Sequence, residues 1–94
     1  MDTMEPVTPG EVLVEEFLEP HGLTQYGLAK AIGVDPMRIS EIVRSKRAIS
    51  ADTALRLGRY FGNTPKFWLN LQDHYDLLTA EEAVDLDAIE PLQA

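Results

Sequence analysis

Glu11, Glu15, Glu16 and Glu19 lie close enough together for paired acid–base chemistry. A helix through them places all four outside its apolar stripe, with no neighbouring nucleophile. Asp73, His74 and Asp76 are metal-ligand types, but at i, i+1 and i+3 they splay around a helix. His21 sits in a Pro-His-Gly turn, far from His74 in the chain. No glycine-rich phosphate loop or nucleophile elbow occurs, and without cysteine there is no thiolate ligand or disulfide. The expectation is a protein that is not an enzyme and carries no metal or cofactor. The chemistry left to explain is that of the basic side chains, which bind phosphate and base edges.

The net charge is −8, which by itself argues against a nucleic-acid binder. Its distribution reverses that inference. Residues 1–23 hold six acids and no Lys or Arg, and residues 60–94 hold seven acids and only Lys66. Between them, residues 24–59 carry seven bases (Lys30, Arg38, Arg44, Lys46, Arg47, Arg56, Arg59) against three acids (Asp35, Glu41, Asp52). A basic middle between acidic ends suits one face to phosphate and others to a different partner, or simply to solvent.

The elements that must position those bases centre on residues 24–44, TQYGLAKAIGVDPMRISEIVR. Thr24 is suited to cap a helix opened by Gln25, with Leu28, Ala29 and Ile32 on one face. Gly33 ends it where a left-handed residue is wanted. Asp35 caps a second helix with Pro36 at its first position, and Ile39 and Ile42 face inward. A small residue at Ala29 lets the two helices cross closely. This is the helix-turn-helix pattern.

The remaining elements follow from similar signals. Thr8-Pro9-Gly10-Glu11 forms a capping box before a first helix with Leu13, Val14, Phe17 and Leu18 inward, ended by Pro20 and Gly22. Ser45-Lys46-Arg47-Ala48-Ile49 is a basic loop with one apolar anchor, and Ser50 caps a fourth helix over residues 51–61. Asn63-Thr64-Pro65 opens a fifth, to about Leu78, which is apolar on more than one side. A second apolar stripe asks for a second partner, most simply another copy of the chain. Phe67, Trp68, Leu71 and Tyr75 are the expected dimerisation residues. Thr79-Ala80-Glu81-Glu82 reads as a further capping box, starting a short separate helix. The fold class is therefore all-α: one five-helix domain over residues 8–78, a loose tail over 1–7 and an acidic tail over 79–94. No apolar run is long enough to span a membrane and no secretion signal opens the chain, so a soluble, cytoplasmic protein is expected.

With the second motif helix in a major groove, Met37, Arg38, Ser40, Glu41 and Arg44 are the expected base-reading residues. Arg38 or Arg44 suits guanine, and Met37 a thymine methyl. Glu41 suits a cytosine amine or, alternatively, pairs with Arg38 or Arg44. Thr24, Gln25, Lys46, Arg47 and Ser50 are the expected phosphate contacts. Two such modules on a dyad address half-sites roughly 34 Å apart.

The sequence resembles the HigA family of antitoxins, within the wider Xre/Cro-type, lambda-repressor-like regulators. The resemblance spans about residues 7–78. It rests on Thr8-Pro9-Gly10-Glu11-Val12-Leu13 with Glu15-Glu16-Phe17-Leu18, on RAISADTALRL at residues 47–57, and most specifically on Phe67-Trp68-Leu69-Asn70-Leu71-Gln72. Thr8 departs from the family's histidine but caps a helix equally well. The resemblance implies an antitoxin of a type II pair. Such a protein neutralises a small basic toxin similar to RelE, which cuts messenger RNA at the ribosome, and as a homodimer represses its own operon at a palindromic operator in double-stranded DNA. The alternative is a solitary repressor of the same fold. The acidic candidates for the toxin surface are Glu15, Glu16 and Glu19, or residues 85–90.

Overall fold

The structure, a computed structural model, describes residues 7–92. The expected N-terminal tail therefore lies outside the described residues except for Val7, which is exposed. Thr8 caps α1 (Pro9–Val12): its hydroxyl accepts from the Glu11 amide at 3.1 Å, while the Glu11 carboxylate accepts from the Thr8 amide at 3.0 Å. The helix then widens into a π-helical segment, Leu13–Leu18, rather than continuing as the expected α-helix. The packing accounts for the change. At 100° per residue, Leu13 and Leu18 would stand roughly 140° apart on an α-helix, whereas i→i+5 bonding brings residues five apart onto one side. Both leucines are buried in the core.

The helix-turn-helix forms as its caps dictate. Thr24 accepts from the Gly27 amide at 2.9 Å to start α2 (Gln25–Ile32), and Gly33 ends α2 at φ 75°, a left-handed conformation that is strained for any residue with a Cβ. Asp35 accepts from the Met37 amide at 2.8 Å to start α3 (Pro36–Val43). Ser50 caps α4 (Ala51–Phe61), and Thr64 accepts from the Phe67 amide at 3.2 Å to start α5 (Pro65–Ala83). Five α-helices, the π-helical segment and one 3-10 turn, with no strands, are present among the described residues.

The C-terminal end differs from the sequence expectation. No capping box forms at Thr79; its hydroxyl donates back to the Asp76 carbonyl at 3.1 Å, as hydroxyls inside helices do. α5 runs on through residues 78 and 79 to Ala83, and a 3-10 turn, Leu86–Ala88, replaces the expected separate helix.

Trp68 occupies the centre of the core with 0% of its surface exposed. Its ring lies 4.7 Å from Phe17, 6.0 Å from Phe61 and 5.0 Å from Phe67, and its indole N–H donates to the Asn63 side chain at 2.8 Å. This corrects the expectation that Trp68 is a dimerisation residue: α5 buries its indole against α4 and the π-helical segment. Around it, α4 packs along α5, and α1 packs against both α3 and α5. The closest approach is at Gly10. A Cβ there would collide with the Ile42 carbonyl oxygen and lie 2.7 Å from that of Val43. The obstacle is backbone and cannot rotate away. Gly10→Ala is expected to cost about 3 kcal/mol, at the upper end for overpacking. At this chain length that lowers Tm by roughly 12 °C or more, measured by thermal melting.

Candidate nucleic-acid interface

α3 turns Ile39 and Ile42 into the core and leaves its other side uncovered by the chain. Met37 is 55% exposed, Arg44 is exposed, and Ser40 and Glu41 are half-buried between them. The Arg44 Nε donates to the Ser40 hydroxyl at 3.3 Å, which draws two of the expected base-reading side chains together. Beyond α3, Lys46 and Arg47 are exposed, as are Thr24, Gln25 and Ser50 at the starts of α2 and α4. Tyr26, which sequence spacing did not single out, is also exposed, with the Lys30 ammonium 6.0 Å from its ring centre.

Two expected roles change. Arg38 does not point outward as a free base reader; its Nη1 donates to Asp52 at 2.9 Å and to the Thr53 hydroxyl at 3.2 Å, fastening α3 to α4. Asp52 also accepts from Arg56 Nε at 2.8 Å, and Arg56 Nη1 donates to the Ile32 carbonyl at 2.8 Å at the end of α2. Through the two arginines this carboxylate links the solvent sides of α2, α3 and α4, and Asp52 and Arg56 form a pair four residues apart on α4. Glu41 pairs with neither Arg38 nor Arg44. Its partner is Arg47, whose Nε and Nη2 both reach Glu41 Oε1 at 2.8 Å.

The other candidates are dispersed. Glu15, Glu16 and Glu19 are exposed on the π-helical segment and just past it. Of the remaining dimer candidates, Leu71 and Tyr75 are half-buried, and Phe67 packs 5.9 Å from Phe17 with part of its ring exposed. The uncovered apolar surface continues farther along, at Leu77, Val84, Leu86 and Ile89. No group of three or more potential metal ligands occurs among the described residues, and no helix there is long and apolar enough to cross a membrane.

This arrangement of a capped helix, a left-handed glycine turn and a second helix with one bare side defines a helix-turn-helix domain. The helix-turn-helix family model matches residues 14–69. Virulence-associated protein I of Dichelobacter nodosus is 57% identical over 79 residues, covering 84% of this chain and 73% of that one. Antitoxin HigA-1 of Vibrio cholerae is 44% identical over 72 residues, 77% of this chain and 68% of its own. The solved structure of Pseudomonas aeruginosa antitoxin HigA with the higBA promoter superimposes with a TM-score of 0.89 at 44% identity, covering 95% of this chain and all of the other. The chain belongs to the HigA family of helix-turn-helix antitoxins.

Arg38→Ala should lower stability by about 1 kcal/mol through its lost bonds to Asp52 and Thr53. Arg44→Ala should stay within about 0.5 kcal/mol of the parent, as surface substitutions usually do; urea titration distinguishes the two. Asp52 adds a pH signature. The guanidinium of Arg56, and then that of Arg38, holds its carboxyl below the usual 3.8. A depressed folded value means the contribution is complete above 3.8 and is lost as pH falls through the lower, folded value. The stability gap between the parent and Asp52→Asn should therefore be present at neutral pH and close in strong acid.

Proposed function

We propose that the protein is a dimeric antitoxin and autorepressor. It lays α3 in the major groove at each half of a palindromic operator upstream of its own gene, and it neutralises a small basic toxin similar to RelE. The observation that carries this reading is the bare side of α3, where Met37 and Arg44 are exposed and Ser40 half-exposed, just before the basic pair Lys46 and Arg47. On either side are the capped starts of α2 and α4, whose free amides suit phosphate oxygens. The P. aeruginosa HigA relative is itself seen with its promoter, at close structural similarity. For dimerisation, Phe67, Leu71 and Tyr75 remain the proposed residues. A second uncovered apolar surface, at Leu77, Val84 and Leu86, is a further reason to expect another copy of the chain. For the toxin, the exposed carboxylates Glu15, Glu16 and Glu19, or those within residues 85–90, complement a basic partner. The chain has no role as a catalyst in this reading.

Mobility shifts with the DNA upstream of the gene, across a salt series, test the operator reading. Specific binding should weaken steeply with salt as neutralised phosphates release counterions. Arg44→Ala should weaken operator binding roughly 10- to 100-fold and relax specificity. Lys46→Ala should weaken binding to all sequences alike and reduce the salt slope by about 1. Equal affinity for the upstream fragment and an unrelated duplex would sink the operator assignment. Co-expression with the adjacent reading frame tests the toxin: a small basic protein should co-purify, and its absence leaves a solitary repressor.

A further inference from the structure

We propose that Gln72 is a positioning residue for DNA binding, fixing from α5 the loop that presents Lys46 and Arg47 to phosphate. Gln72 lines the same cleft as Ser45, Lys46, Arg47 and Ala48 and is 9% exposed. Its Oε1 accepts from the Ile49 backbone amide at 2.8 Å, across 23 residues of sequence, and its Nε2 donates to Asp76 Oδ1 at 2.9 Å. The amide therefore has one working orientation: turned over, it would aim a carbonyl at a carboxylate and an NH2 at an N–H.

The loop needs such an anchor. α3 ends with Lys46 N donating to the Glu41 carbonyl at 2.7 Å and Ser45 N to that of Ile42 at 3.1 Å. That closure usually has glycine at the left-handed position, but here the residue is Ser45, at φ 60°. A left-handed non-glycine residue persists where its surroundings over-determine it. Here those surroundings are Glu41 holding Arg47 on one side, and Gln72 with the buried Ile49 side chain on the other. Without Gln72, the Ile49 amide loses its partner inside the protein. The far end of residues 45–48 is then held by the Ile49 side chain without its backbone hydrogen bond, and the loop that carries Lys46 and Arg47 is less firmly set for DNA.

The inference rests on the proposed contact between this loop and phosphate, so its test has an arm that does not involve DNA. The full-length parent is compared with Gln72→Met, Gln72→Glu and Gln72→Glu/Asp76→Asn. The double variant reverses the Gln72–Asp76 hydrogen bond while keeping an acceptor for Ile49 and the same net charge. Exchange of the Ile49 amide with solvent should accelerate in Gln72→Met and return toward the parent rate in the double variant. On operator DNA, Gln72→Met should lose about two from the salt slope, one for each of Lys46 and Arg47, and the double variant should recover it. If Gln72→Met does not fold, the comparison between Gln72→Glu and the double variant decides: a slope lost in the first and restored in the second supports the role. Unchanged Ile49 exchange, or an unchanged slope in a variant whose Ile49 exchanges faster, overturns it. If instead Lys46→Ala and Arg47→Ala leave the slope of the parent untouched, the phosphate reading of the loop fails, and Ile49 exchange alone judges Gln72.

Discussion

An eight-residue helix is too short to persist in water on its own propensity. α3 must therefore be held by contacts outside itself, and the way it is held determines what it can present. Ile39 and Ile42 seat it from behind. Gly10 brings the start of α1 into backbone contact with its last turn, and Arg38 ties its flank to Asp52 and Thr53 on α4. Three sides are thus committed to the protein. The side left over, with Met37, Ser40 and Arg44, is free because nothing in the fold uses it.

This constraint explains why two charged residues on α3 do not do what their exposure in a helical projection suggests. Arg38 and Glu41 are both only partly buried, yet each is engaged by a partner outside α3. Asp52 is fourteen residues from Arg38, and Arg47 six from Glu41, past the end of the helix. Neither separation belongs to the i, i+3, i+4 set from which helical pairs are read. The caps, by contrast, are local. Thr8 with Glu11, Thr24, Asp35 with Pro36, Ser50 and Thr64 each act within three residues, and each forms as the sequence indicates.

Other local signals are overridden by the tertiary fold for the same reason. Thr79 with Glu82 has the letters of a capping box, but a helix already running through Thr79 leaves no free amide for its hydroxyl to accept from. Trp68 looked like surplus apolar surface because α5 is apolar on more than one side. In so small a domain the core wraps around that helix, packing Phe61 from α4 and Phe17 from the π-helical segment against Trp68 at once. The widened turn at Leu13–Leu18 has no motif of its own; it is visible only in the five-residue separation of two leucines that must both face inward. Gln72 lies in the most family-specific stretch, but no local signal gives its task, because its partner amide lies in a loop whose shape no periodicity describes.

The indole at position 68 closes an interior whose other walls, Leu13, Leu28, Ile39 and Leu57, are all synthesised earlier. A nascent chain on the ribosome therefore completes its helix-turn-helix well before it can shut its core. Until α5 emerges, the exposed interior marks the chain as unfinished to chaperones and proteases. α5 both plugs the core and supports the basic loop, so the whole molecule, and not one end of it, depends on the last helix to be made.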